Sequence, residues 1–300
     1  MGLFSKGEPP VCGGSTDSYD ESAPKTIQSD DMVFFDVTTK MPYQRIDPEH
    51  NRMMPDPIGY FSAFAAPAGK NFFVFLETSR YGRRGEEMKR DWAFVKESIF
   101  PELTAIVKEF EVAKGNGVFH KTHGLPENFG GDADIRFASG ERINFADNQS
   151  PILGTEVSLR IVEAFTKALR SEKIELPKVE DLTQIMYRED RERGGFTKSI
   201  LTLSEDGTGT IKSVARYDDP KIYESEKSAE KERIIKIREK IVSSGIFGWA
   251  DLPKRDYDSL HEESLTFVFK DGNEIKVPGD RVLPYQIQGA FFDIRLEITR

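Results

Sequence analysis

The sequence predicts an α+β fold made of two copies of one unit, with mainly antiparallel sheets and helices packed on one face of each sheet. Three observations support this prediction. Residues 105–119 (AIVKEFEVAKGNGVF) align without a gap with residues 233–247 (RIIKIREKIVSSGIF). Residues 135–145 and 267–277 each alternate apolar and polar side chains around a glycine, and each leads into a further amphipathic segment. The repeated unit is therefore expected to run strand, strand, strand, helix, strand, strand, helix.

The predicted helices are indicated by apolar residues that recur at three- and four-residue steps, the spacing of one helix face. In the first copy these stripes are Met88, Trp92, Val95, Ile99, Leu103, Ile106 and Phe110, followed by Val157, Ile161, Phe165 and Leu169. In the second copy they are Ile234, Ile237 and Ile241, followed by Ile287, Phe291, Ile294 and Ile298. Pro101 is expected to kink or restart the first helix, because proline removes a backbone donor.

The predicted hairpins lie where apolar and polar residues alternate on both sides of a turn. Gly140 and Gly272 occupy these turns, where glycine supplies the positive φ that a tight hairpin requires. Upstream, residues 61–81 and 196–217 each indicate two strands around a glycine turn, and both segments end in Arg-Tyr. One further strand is predicted before each pair, MVFFDV in the first copy and QIMYRE in the second.

The expected domain organisation follows from these repeats and from the segments between them. Residues 30–170 are predicted to form the first repeat and residues 181–300 the second. The charged segment 171–180, which contains a proline, is expected to be a linker. Residues 1–29 are rich in Gly, Pro, Ser and Asp without apolar periodicity, so we expect a flexible N-terminal lead.

Composition and charge restrict the classes of partner and the cellular compartment. The 300 residues include 51 acidic and 42 basic side chains, which give a formal net charge of −9. No overall positive field exists to attract nucleic acid or anionic lipid, so neither nucleic acid nor a membrane is expected as a partner. Cys12 is the single cysteine, which fits a reducing compartment. Because MGLFSKGEPP meets charge and proline too early for a signal peptide, a cytoplasmic location is expected.

The segment GNGVFHKTHGLP (residues 115–126) differs from its counterpart GIFGWADLP (residues 245–253) in holding two histidines. The second copy keeps the glycine and the proline but replaces HKTH by GWA, so the fold does not need imidazoles at this place. Trp249 is expected to anchor the second copy's loop. Since glycines and a proline surround His120 and His123, this segment is predicted to be a loop, and the two histidines are candidate functional residues.

Two catalytic interpretations of this loop are open. His120, His123 and Glu127, with Asp132 and Asp134 close behind, could converge on a zinc-like ion. A histidine and a carboxylate could also act as general acid and base. A metal-dependent hydrolase or other enzyme centred on the first three residues is therefore the alternative hypothesis. However, the sequence contains no nucleophile elbow, phosphate-cradling glycine loop or His-Glu-x-x-His helix, so no catalytic residue, metal or cofactor is predicted.

The leading hypothesis is a non-catalytic binding protein whose second copy is mainly structural. GLPENFGG and ADNQSP flank the first hairpin, and turns that carry amide side chains suit hydrogen bonding to an unknown protein or a small polar ligand. The candidate ligand-binding residues are His120, His123, Glu127, Asn128, Asn148 and Gln149. The alternative is that these amides only tie the loops to the hairpin backbone, as in Asx-type turns.

Several motifs resemble known bacterial proteins. GLPENFGG, IRFASGERINF and DNQSP in the first copy resemble an uncharacterised family of proteins from anaerobic Gram-positive bacteria. GWADLP and FVFKDGNEIKVPGD in the second copy resemble related modules in some of the lipoproteins of these bacteria. The resemblance covers most of residues 30–300 and implies no activity, cofactor or catalytic residue. The chain departs from the lipoproteins in having no lipobox.

Overall fold

The computed structural model describes residues 14–40, 44–47, 52–55, 59–82, 85–123, 130–191, 194–217, 221–255 and 261–299. These residues form an α+β fold with four α-helices and two large sheets of eight and six strands, both mainly antiparallel. This confirms the predicted α+β class and the mainly antiparallel sheets. Within the described ranges, no helix is long and apolar enough to cross a bilayer.

In the first part of the chain, the described residues form ten strands and two α-helices. These are β1 (Gly14–Tyr19), β2 (Met32–Lys40), β3 (Gln44–Asp47), β4 (Arg52–Pro55), β5 (Tyr60–Ala68), β6 (Asn71–Gly82), β7 (Gly85–Val95), α1 (Phe100–Glu109), β8 (Val118–His123), β9 (Gly130–Phe137), β10 (Arg142–Asp147) and α2 (Thr155–Ala168). The eight-stranded sheet has the order β1-β8-β10-β9-β2-β5-β6-β7, and β3 pairs with β4. Strand β8 runs parallel to β10, whereas β1 with β8, β10 with β9, β9 with β2 and β2 with β5 are antiparallel.

In the second part, the described residues form six strands and two α-helices. These are β11 (Leu182–Arg191), β12 (Phe196–Leu203), β13 (Gly209–Arg216), β14 (Ile222–Ala229), α3 (Lys231–Ser244), β15 (His261–Phe269), β16 (Glu274–Pro278) and α4 (Tyr285–Thr299). The six-stranded sheet has the order β14-β13-β12-β11-β15-β16. In the larger sheet, the run β7-β6-β5-β2-β9-β10 has the same arrangement: the first strand along the chain, β2 or β11, lies fourth in the run, and the last, β10 or β16, lies at its end. Six strands therefore have the same spatial order in both sheets.

By packing, the chain divides into two compact units. The first comprises the described residues up to Ala65, Val74–Trp92 and Glu97–Ser171, and the second comprises Ala66–Phe73, Ala93–Lys96 and the described residues from Glu172 onward. The second unit therefore takes in two pieces of chain that precede the predicted linker. Within it, the backbone N–H of Ile174 donates to the carbonyl of Phe94 at 2.7 Å. The N–H of Lys96 donates to the carbonyl of Glu172 at 3.2 Å, so the start of the predicted linker is tied down.

Three of the predicted helical stripes are buried. The buried residues are Val157, Ile161, Phe165 and Leu169 at α2, Ile234, Ile237 and Ile241 on α3, and Ile287, Phe291, Ile294 and Ile298 on α4. The Phe165 ring lies 5.7 Å from the Phe35 ring of β2, which places α2 on that face of the sheet. Both predicted hairpins are present, and Gly140 and Gly272 have φ values of 88° and 83°.

The first predicted helix is wrong over its first half. Gly85–Val95 forms β7, and α1 begins only at Phe100, with Pro101 in its first turn, where the missing N–H costs no hydrogen bond. Met88, expected on the buried stripe, is 56% exposed. Pairing with β6 overrides the local helical spacing, because strand formation depends strongly on the neighbouring strand. Four adjacent strands, β2, β5, β6 and β7, therefore precede the helix, where three were predicted. In the second unit four adjacent strands, β11 to β14, likewise precede α3.

Two segments expected to be irregular form strands. Gly14–Tyr19, within the expected flexible lead, is β1, and Val118–His123, within the expected loop, is β8. They pair with each other along their whole length. Neither has an apolar face, so local sequence did not predict them; each becomes a strand because a partner satisfies its backbone hydrogen bonds. In the second unit the matching residues, Ile246–Asp251, form a 3₁₀ helix instead.

Trp249 anchors this 3₁₀ helix, as the sequence suggested. Its side chain is fully buried, and its Nε1 donates a hydrogen bond to the carbonyl of Ser244 at 3.1 Å. Nearby, the Phe247 ring packs edge-on against Phe267 and Phe269, at 5.0 and 5.2 Å between ring centroids. The aromatic residues therefore join the segment to the hairpin formed by β15 and β16.

We predict that Trp249→Ala lowers the free energy of unfolding by about 3–5 kcal/mol, because it leaves a large cavity and an unpaired carbonyl. Trp92, the other of the two tryptophans, is only partly buried and provides the matched control. Trp92→Ala should cost clearly less in chemical denaturation. Equal losses for the two variants would contradict the anchoring role of Trp249.

Candidate functional site

One face of the eight-stranded sheet carries polar side chains. Phe35 and Val37 of β2 are buried on the α2 side, so the alternating residues Asp36, Thr38 and Lys40 lie on the opposite face. Strand pairing extends this face across six strands. The residues paired in one row are Ser18, Phe119, Ala146, Asp132, Thr38 and Ser62. Because paired residues share a face, all six side chains project to the same side.

A second row runs beside the first, two residues further along each strand. Thr16 pairs with Lys121 at one end of this row, and Gly130 pairs with Lys40, which pairs with Tyr60, at the other end. Where the row crosses β9 the residue is glycine. The β9 backbone is therefore bare of side chains in this row, and Asn148, which follows β10, lies beside it.

These rows line a cleft of about 840 Å³ in the first unit. Its lining comprises Thr16, Ser18, Thr38, Lys40, Tyr60, Phe119, His120, Lys121, His123, Gly130, Gly131, Asp132, Ala146, Asp147 and Asn148. The volume lies within the range of small-molecule sites, roughly 300–1,000 Å³. Three of the sequence-predicted candidates, His120, His123 and Asn148, are in this lining.

The cleft floor depends on a close approach of backbones at the start of β9. A Cβ on Gly131 would lie 1.9 Å from the carbonyl oxygen of Thr38, and a Cβ on Gly130 would lie 2.1 Å from that of Asp147. Gly130 also has a φ of 110°, which side chains rarely adopt. The two glycines of FGGDAD therefore let β9 fit between β2 and β10.

His120 and His123 lie on opposite faces of β8, because residues three apart in a strand point in opposite directions. The His123 Nε2 is 2.8 Å from the Thr16 hydroxyl, and His120 Nδ1 pairs with the Asp17 carboxylate. Each imidazole thus contacts β1, and the two do not converge on one ion. The loop geometry expected for a metal site is not found, and in the described part of the chain no group of three or more His, Cys, Asp or Glu residues could hold a metal ion.

Asn148 ties its loop to β8. Its Oδ1 accepts from the N–H of Thr122 at 2.8 Å, and its Nδ2 donates to the carbonyl of Thr122 at 2.9 Å, so the amide takes the place of a strand backbone. The N–H of Gln149 donates to the Asp147 carboxylate at 2.7 Å, an Asx-type turn. These bonds support the structural interpretation of both amide residues. Glu127 and Asn128 lie outside the described residues.

Carboxyl groups of the polar face have unusual proton affinities. Asp36 pairs across the strands with Asp134, next to the row that holds Asp132. Burial, with repulsion from Asp132 and Asp134, raises the pKa of Asp36 to about 7. Withdrawal from water and the Asp134 charge also raise the pKa of Asp132. Asp134 itself is bound by Arg142, whose Nε and Nη2 donate to it at 2.7 and 2.9 Å. Such shifts often mark functional sites.

Sequence reasoning missed several cleft residues, notably Thr16, Thr38, Lys40, Tyr60 and Lys121. They belong to no motif, and they come from separate strands that the sheet order brings together. The strand pattern of MVFFDV was recognised, but nothing local indicated that β2 lies beside β9.

Comparison with known proteins gives no further guidance. No protein-family model matches the chain, and no curated protein matches it. The cleft must therefore be interpreted from its own geometry.

We predict that Asp36 makes stability depend on pH. Because its folded pKa is above its unfolded value, the protonated carboxyl stabilises the folded state fully below about pH 4, and this contribution is lost as the pH rises through about 7. From pH 5 to pH 8 the wild type should lose on the order of 1–3 kcal/mol more than Asp36→Asn. Asp31→Asn, an exposed change, should follow the wild type. Parallel curves for wild type and Asp36→Asn would contradict this assignment.

Proposed function

We propose that the protein is a non-catalytic binding protein that holds a small polar ligand in the cleft of its first unit. The observation that carries this proposal is the cleft itself: its polar side chains come from β1, β8, β10, β9, β2 and β5 and all line one space. Hydroxyl, ammonium, carboxyl and imidazole groups there can bond a polar molecule, and the Phe119 and Tyr60 rings add apolar surface.

The two units differ in structure at the cleft, which supports different roles for them. The first unit has β1 and β8, which build one side of the cleft. At the position that corresponds to β8, the second unit has a 3₁₀ helix whose Trp249 side chain is fully buried. We therefore assign the second unit a mainly structural role.

We also infer that the two units are copies of one ancestral module. The support is the shared order of six strands, together with the ungapped alignment of residues 105–119 with 233–247. The resemblance to the uncharacterised bacterial family is compatible with such modules but supplies no activity. A cytoplasmic location stays a prediction from the single cysteine.

Catalysis is not the function that this geometry favours. The metal-dependent alternative needs His120 and His123 on one ion, and their positions on opposite faces of β8 give it no support. Both imidazoles already contact β1. Recognition needs no such convergence, because separate polar groups along a cleft can each bond a different part of a ligand.

The test is a panel of sugars, sugar phosphates, amino acids and dipeptides screened by ¹H–¹⁵N NMR. We expect at least one compound to shift resonances of β2, β8, β9 and β10 and to be recovered unchanged. Ala146→Phe should fill the cleft floor and weaken that binding by about tenfold or more.

The matched control is Ala138→Phe, in the exposed hairpin turn outside the cleft lining. It should leave binding unchanged. Shifts confined to residues away from the cleft, equal binding by both variants, or chemical conversion of the bound compound would each overturn the proposed function.

A further inference from the structure

Two lysines, Lys40 and Lys121, line the cleft. Lys40 and Lys121 form no ion pair or hydrogen bond with any residue that the structure describes. Other lysines of the first unit do have acidic partners: Lys108 pairs with Asp30 at 2.5 Å, and Lys167 pairs with Glu102 at 2.9 Å. The lining also holds Asp132 and Asp147, so the two ammonium groups offer an anion two points of attachment and do not give the whole cleft a positive charge.

The sheet order allows these two lysines to act together. Lys40 is on β2 and Lys121 on β8, three strand steps apart through β9 and β10, or roughly 14 Å between backbones. Both belong to the same face and the same row. Between them lie Gly130, which has no side chain, and Asn148, whose amide is bonded to the Thr122 backbone, so both long side chains can lean toward the space above β9.

The neighbouring row offers a different chemistry. Ser18, Asp132 and Thr38 present hydroxyl and carboxyl groups beside the lysines. Phe119 lies in the same row, and Tyr60 closes the cleft beside Lys40. The cleft thus combines the lysine row, which also holds Tyr60, with a neighbouring row of hydrogen-bonding groups and Phe119.

We propose that the ligand carries an oxyanion held between Lys40 and Lys121, and hydroxyl groups bonded by Thr38 and Asp132. The chemical class is an acidic sugar, with either a carboxylate or a phosphate as the anion. This inference deepens the proposed function and rests on it. Ammonium groups bind an oxyanion more strongly than they bind a neutral group, because the hydrogen bonds are charge-assisted.

The experiment titrates the whole protein with glucose 6-phosphate, glucuronate, glucose and inorganic phosphate by calorimetry and ¹H–¹⁵N NMR. At least one charged sugar should bind about tenfold or more tightly than both glucose and inorganic phosphate. The more tightly bound of the two charged sugars identifies the anion as phosphate or carboxylate. Lys40→Gln combined with Lys121→Gln should weaken that binding by about tenfold or more.

The matched control is Lys198→Gln combined with Lys276→Gln, which removes the same charge from strand lysines of the second unit. It should leave binding unchanged. Equal affinity for glucose and for the charged sugars would overturn this inference while leaving a binding cleft. If both double variants weakened binding equally, the loss of affinity would come from the change in net charge, and this inference would be overturned. No cleft shifts with any probe up to about 10 mM would also overturn it, and the broader compound panel would then decide the proposed function.

Discussion

The close approach of β9 to its two neighbours is the constraint on which the first unit depends. Gly130 and Gly131 bring the backbone so near to Thr38 and Asp147 that a methyl group at either position would overlap a carbonyl oxygen. This approach joins β2 and β5 to β10, β8 and β1 in one sheet. The polar rows that line the cleft cross this part of the sheet, so they depend on the pairing of β9 with both β2 and β10.

A segment with little apolar character, β1, also forms part of this sheet. Strand β1 is exposed throughout, so burial does not hold it in place. It is held by its ladder to β8, by the contacts of His120 and His123, and by Asn116, whose side-chain amide donates to the carbonyls of Pro24 and Arg142 at 2.9 and 2.7 Å. Through these contacts His120 and His123 help to build the cleft wall.

Sequence periodicity predicted the elements whose apolar stripes face a core, such as the helix stripe of Phe165 and the hairpin around Gly140. It failed at β7 and β8. In β7 the apolar spacing imitates a helix, and β8 becomes a strand only through its partners, which no local pattern reveals. For the site, His123 and Asn148 were predicted because their copy differs from the other. Lys40 and Lys121 were missed because only the sheet order brings distant strands together.

The most direct measurement is the free energy of unfolding of Gly131→Ala by chemical denaturation. The account predicts a loss of about 3 kcal/mol or more, because the added methyl group meets the backbone of β2 and not a movable side chain. Gly289→Ala, in helix α4 with open space around it, should leave stability unchanged or raise it by up to about 1 kcal/mol. A Gly131→Ala protein as stable as the wild type would show that β9 does not approach β2 in this way, and the cleft built on that approach would be lost.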